Sequence, residues 1–151
     1  MDWEPWVHFL HVASAIVWVG GGIMLTIVGI RARGSSNAER LADFGQLLPY
    51  AGLRVLTPAV ILVLLTGLWL VLTGSEWNLG QLWVIIALVG FGGAFLIGVL
   101  YLSRTAGDLE RAASTDLEAA RTAVGRWLAG YGVVLAILLV VVWDMVVKPG
   151  I

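Results

Sequence analysis

The sequence predicts an all-α fold, a four-transmembrane-helix bundle with helical cytoplasmic extensions, and three observations predict it. Of 151 residues, 60% are hydrophobic and only 13% are charged, with a mean hydropathy of +0.94. A soluble domain carries about 25% charged residues, so this chain lacks the polar surface that water demands. The apolar residues fall into four long runs without the alternation of a membrane β-barrel. Eight of the nine cations are arginines confined to two of the connections between those runs. Absence of cysteine excludes a disulfide framework, a thiolate metal site, an iron–sulfur cluster and a cysteine nucleophile.

Residues 1–151 read as a single integral membrane domain, with spans at about 5–30, 54–74, 79–103 and 126–148. Pro5 to Ile30 is free of Asp, Glu, Lys and Arg, and exceeds the roughly 20 apolar residues that cross a bilayer as a helix. Its acidic start, Met1-Asp2-Trp3-Glu4, is the opposite of the basic head of a signal peptide. The following connection opens with Ser36-Asn37-Ala38-Glu39, which fits a capping box started by Ser36. Leu41, Phe44, Leu48 and Ala51 then recur at helical spacing and lead into the second span, where Pro49 and Pro58 are expected to kink the helix. Trp77 to Ser103 supplies the third span. The second connection alternates Asp108, Glu110, Arg111, Asp116, Glu118 and Arg121, as on a solvated helix, with a second capping box from Thr115 to Glu118. Trp127 to Val147 is the fourth span, interrupted only by Asp144.

Orientation follows from the cations. Arg31, Arg33, Arg40, Arg54, Arg104, Arg111, Arg121 and Arg126 share one side, and Lys148 stands alone on the other. The positive-inside rule places the arginines in the cytoplasm, with both termini and the Thr73–Gly80 turn extracytoplasmic. The expected location is the bacterial cytoplasmic (inner) membrane, with the lipid bilayer as the main partner.

Few side chains are left to carry chemistry. His8 and His11 lie in the first turns of span one, three residues apart and hence on one helix face, which Ala15, Trp18 and Gly22 continue inward. Ionisable groups inside a membrane are costly and face a bundle interior or a cavity, so function is the default reading, against hydrogen-bonded glue between helices. Trp3, Trp6 and Trp77 suit an interfacial belt, whereas Trp18 is too deep for one. Trp69 and Trp83 lie near the outer ends of spans two and three. Neutral imidazole is a ligand for haem iron or for copper. Gly20, Gly21 and Gly22 with Gly90, Gly92 and Gly93 would let helices approach closely, around a macrocycle or simply against each other. Histidines at i and i+3 cannot lie trans on one iron. A second axial ligand would be Met145, water or a group from another subunit. His8, His11 and Met145 together would suit copper. Asp144 is expected to pair with Lys148, four residues on, ahead of orienting an imidazole, and Arg54 to snorkel to headgroups. Hydrolase, nucleotide-binding and metalloprotease motifs are absent, and there is no basic patch for nucleic acid beyond the topology signal.

Leu10-His11-Val12 with Trp18-Val19-Gly20-Gly21, a histidine followed seven residues later by tryptophan, resembles the first helix of CopD-like and HemJ-like membrane proteins. The second span, from Arg54 through Thr57-Pro58-Ala59 to Leu65-Thr66-Gly67-Leu68-Trp69-Leu70, also resembles HemJ-like proteins. The whole chain looks most like a compact bacterial family of four-helix integral membrane proteins without assigned function. The resemblance to HemJ-like proteins, which are haem-associated protoporphyrinogen oxidases, implies a haem-ligand role for His11. Their third helix carries a functional lysine that has no counterpart in Gln81-Leu82-Trp83-Val84-Ile85-Ile86, which puts the oxidase activity in doubt and leaves open whether the chain is an enzyme. CopD-like proteins are longer, so copper import by this chain would need a homo-oligomer. Two readings therefore stand. One is a b-type haem protein for redox or sensing, with His11, His8, Trp18 and Trp69 around the cofactor and an electron-transfer partner. The other is a copper-handling module using His11, His8 and Met145, or a purely structural one.

Overall fold

A computed structural model describes residues 3–150, and every described element is helical. Four helices are long and apolar enough to cross a membrane: α1 (Glu4–Arg33), α2 (Ala38–Thr73), α3 (Leu82–Ala112) and α4 (Leu117–Val147). Glu4 and Pro5 open α1, and Arg31 and Arg33 close it. Acidic residues and proline in the first turn, and cations in the last, complement the helix dipole. The buried stripe of α1 is His11, Ser14, Trp18, Gly22, Leu25, Gly29 and Ala32, and the other faces expose Phe9, Ile16, Ile23 and Ile27. An apolar stripe facing a bundle and apolar faces turned outward are what a lipid-embedded helix requires. Ser14, rather than the expected Ala15, sits on the fully buried line.

The middle helices run past the apolar spans. In α2, Leu41, Phe44 and Leu48 are buried as their spacing predicts, and Ala51 is half-buried. Between Pro49 and Pro58 the helix widens into a π-helical segment, Gly52–Leu56, where the Thr57 amide bonds the Gly52 carbonyl five residues back. The Thr57 hydroxyl donates to the same carbonyl at 2.8 Å. Proline offers no N–H and its ring crowds the preceding turn, so the extra residue is accommodated where the regular ladder is already interrupted. A second π segment, Ile97–Leu102, interrupts α3 before Ser103–Ala112 resumes as regular helix.

Both capping boxes shift by one residue from the sequence expectation. Asn37, not Ser36, caps α2: it is extended (φ −89°, ψ 117°) and its side chain accepts from the Glu39 amide at 2.8 Å. Asp116, not Thr115, caps α4, accepting from the Glu118 and Ala119 amides, each at 3.0 Å. A cap needs an extended backbone and an acceptor two or three residues before the amide it serves, and these two residues have both.

Around the bundle the order is α2, α1, α4, α3: α1 packs on α2 and α4, and α3 packs along α4. The first and last helices are thus central, and α2 and α3 lie on the flanks. These two meet at the arginine-rich end, where Ala38–Ala51 packs on Ser103–Ala112. Here sits the tightest core, with Leu41, Phe44, Leu109, Ala120 and Val124 at 0–1% exposure. Phe44 meets Trp127 edge to face at 5.6 Å, and Trp127 stacks on Tyr131 at 5.0 Å. Ion pairs rim this end: Asp108 holds Arg111 at 2.7 Å and Arg126 at 2.5 Å, the latter joining α3 to α4. Arg121 donates to the Ser35 carbonyl at 2.9 Å, tying α4 to the first connection. Close packing at mid-bundle uses only some of the glycines. A Cβ on Gly22 would lie 1.9 Å from the Tyr131 hydroxyl and one on Gly90 would lie 2.4 Å from Val141, whereas Gly20, Gly92 and Gly93 face open space.

Candidate ligand cavity

At the terminal end, where Val71 of α2 packs with Trp83 and Val84 of α3, a cavity of about 350 Å³ is lined by residues of all four helices. Such a volume falls within the range of small-molecule sites, about 300–1,000 Å³. It is lined by His8 and His11 of α1, Val63 to Val71 on one face of α2, Trp83 to Phe91 on one face of α3, and Met145, Val146 and Lys148 at the end of α4. Trp77, from the turn between α2 and α3, closes part of the rim. The wall is apolar and aromatic, with polar atoms coming from a few side chains.

His11 is the best-fixed of these. It is buried, and its Nδ1 lies 3.0 Å from the Val63 carbonyl oxygen and 3.1 Å from the Thr66 hydroxyl. The Thr66 hydroxyl donates its own proton to the Leu62 carbonyl, so towards His11 it acts as an acceptor. With two acceptors facing it, Nδ1 carries the proton and Nε2 is left with its lone pair. No described residue bonds Nε2, and the ring borders the cavity. Close approach of the ring to α2 requires Gly67, where a Cβ would lie 2.9 Å from His11 Cε1. A donor-locked Nδ1 on a backbone carbonyl is the arrangement that metal-binding imidazoles use to fix tautomer and orientation.

His8 is exposed at the rim, one turn above His11. Met145 borders the same cavity, so the histidines and this thioether share one wall system. Trp18 and Trp69 stand outside the lining. Trp18 is buried and meets Phe91 edge to face at 5.6 Å, backing a wall residue, and Trp69 is 37% exposed on α2. The aromatic residues that do line the cavity are Trp77, Trp83 and Phe91. Trp83 is buried; its Nε1 donates to Gln81 Oε1 at 3.1 Å, and its ring meets Trp77 edge to face at 5.8 Å. Gln81 also donates to the Glu76 carbonyl and accepts from the Asn78 amide, which ties the turn to the cavity wall.

The expected Asp144–Lys148 pair does not form. Asp144 is fully buried and neither carboxylate oxygen has a hydrogen-bond partner among the described residues. Lys148 leaves the helix in the left-handed conformation (φ 48°, ψ 63°), its amide bonding the Asp144 carbonyl at 2.7 Å. The i, i+4 rule holds only while both residues are helical, and Pro149 disfavours a helical Lys148. The ammonium lies instead 4.3 Å from the Trp77 ring centre and 5.4 Å from that of Trp83. Asp144 does not orient an imidazole either, since the Nδ1 of His11 is held from α2.

Residues 5–149 match the family described as predicted integral membrane protein (DUF2269), and the chain belongs to that family. No curated protein and no solved structure matches the chain.

Proposed function

We propose that this member of the DUF2269 family binds a b-type haem in the cavity, with His11 Nε2 as its axial ligand, for redox or sensing. One observation carries the reading: the Nδ1 of His11 is committed to the Val63 carbonyl, so the ring offers an oriented lone pair in an apolar, aromatic-walled cavity. Gly67 supports it, because the space a Cβ would occupy there is taken by the imidazole. When bound, haem would supply one-electron or gas-ligand chemistry at an iron held in a low-dielectric site. What the chain itself contributes is a fixed tautomer, exclusion of water by Phe91, Trp83 and the leucines of α2, and a rim residue, His8, near the headgroup level. The arginine asymmetry supports placing the cavity towards the extracytoplasmic face of a bacterial inner membrane.

A copper site is the second reading, favoured by the common lining of His8, His11 and Met145. Against it, one ion would leave most of about 350 Å³ unfilled. Visible spectroscopy and metal analysis of protein purified from haem-sufficient cells separate the two. The haem reading expects a Soret band that His11→Ala abolishes and His8→Ala only weakens or shifts. Protein with no Soret band, and none after haem is added, overturns it. About one copper per chain, lost when both histidines are replaced, would establish the alternative.

A further inference from the structure

Lys148 is the chain's single lysine and, among the described residues, the only Lys or Arg side chain at the terminal end of the bundle. Its ammonium has no carboxylate within salt-bridge distance among the described residues, and the side chain borders the cavity beside exposed His8. The group is nevertheless held in place. It sits over the faces of Trp77 and Trp83, which the Gln81 network fixes to the turn, and its backbone adopts a left-handed conformation uncommon for a side-chain-bearing residue. Indole faces attract a cation, but they neutralise none of its charge. The nearest acidic side chain in sequence, Asp144, is turned into the bundle and contributes only its backbone carbonyl. An ammonium positioned at the rim of an otherwise apolar cavity, with no carboxylate on it among the described residues, is the complement of a molecule with an apolar body and an anionic edge.

We propose that Lys148 is a carboxylate anchor, selecting for the cavity a tetrapyrrole whose acidic side chains lie at one edge. The inference rests on the haem reading and adds orientation to it: the carboxylate edge faces Lys148 and His8 at the rim, and the apolar edge faces Phe91 and the interior. The anchor acts on the ligand's periphery, so Lys148 is a positioning residue whose effect depends on whether that periphery is charged.

The test titrates purified protein in detergent with haem and, separately, with haem dimethyl ester, which has the same macrocycle and iron but no carboxylates. A hydrogen bond to a charged group contributes about 1.5–3 kcal/mol, so Lys148→Gln is expected to weaken haem binding about tenfold or more. Binding of the ester should be unchanged, and Lys148→Arg should restore the haem affinity. Equal weakening for both pigments would reduce Lys148 to a packing residue, and no weakening for either would leave it to lipid headgroups; each overturns the anchor while His11-dependent binding stands. Failure of the unmodified protein to bind either pigment would overturn the haem reading, and the anchor with it.

Discussion

At the scale of single residues, the site is defined by how α2 grips one imidazole. The ring of His11 is bonded to Val63 and Thr66, 52 and 55 residues away, and is seated in the space that Gly67 leaves. Gly67→Ala would put a methyl group 2.9 Å from Cε1, so the ring must move off its acceptors. Overpacking of a fitted interior costs about 1–3 kcal/mol, and the expected outcome is haem affinity lowered about tenfold or more, read from the Soret titration. An unchanged titration would show that the seat does not control the ligand. His11 was legible in the sequence, because an imidazole inside an apolar run is conspicuous. Gly67 and Thr66 were not, since no local spacing ties residues more than fifty positions apart. Lys148 was misread for a related reason: its pairing with Asp144 assumed a helix that the chain leaves at that residue.

Single elements show which local rules survive in a membrane bundle. Helix positions and the buried stripe of α2 follow from hydrophobic run length and spacing, and Leu41, Phe44 and Leu48 lie where their periodicity predicts. Caps are less legible, because Ser35, Ser36 and Asn37 are all capable acceptors and only the backbone decides among them. Asn37→Ala removes the bond to the Glu39 amide and is expected to cost about 0.5–2 kcal/mol, whereas Ser36→Ala touches no cap bond. Thermal unfolding in detergent micelles should therefore fall for the first variant and hold for the second; the reverse order would return the cap to Ser36. The π segments were hidden for another reason. Prolines at 49 and 58 mark an interruption in the sequence, but a kink and an inserted residue are both answers to a missing N–H. In α3, Gly98 is the one glycine inside the π segment, and no proline announces it.

For the molecule as a whole, the helix order separates two tasks. Dense packing and ion pairs join α2, α3 and α4 at the arginine-rich end, while the cavity lies at the end that holds His8, Trp77 and Lys148. On the haem reading proposed above, the side of the membrane on which that cavity opens would decide whether the cofactor exchanges electrons or ligands with the cytoplasm or with the exterior. Eight arginines lie at or near the end opposite the cavity, and Lys148 is the one Lys or Arg side chain beside it among the described residues. Arginines near span ends are retained in the cytoplasm, so the cavity should face outward. Because the chain has no cysteine, single cysteines report their own side without background. One placed at Ser75, in the turn beside Trp77, should react with a membrane-impermeant thiol reagent on intact cells. One at Ser36, in the connection between α1 and α2, should react only after the membrane is opened. Labelling at Ser36 alone on intact cells would invert the bundle and turn the cavity to the cytoplasm, leaving the geometry around His11 untouched but reversing every statement about which compartment it serves.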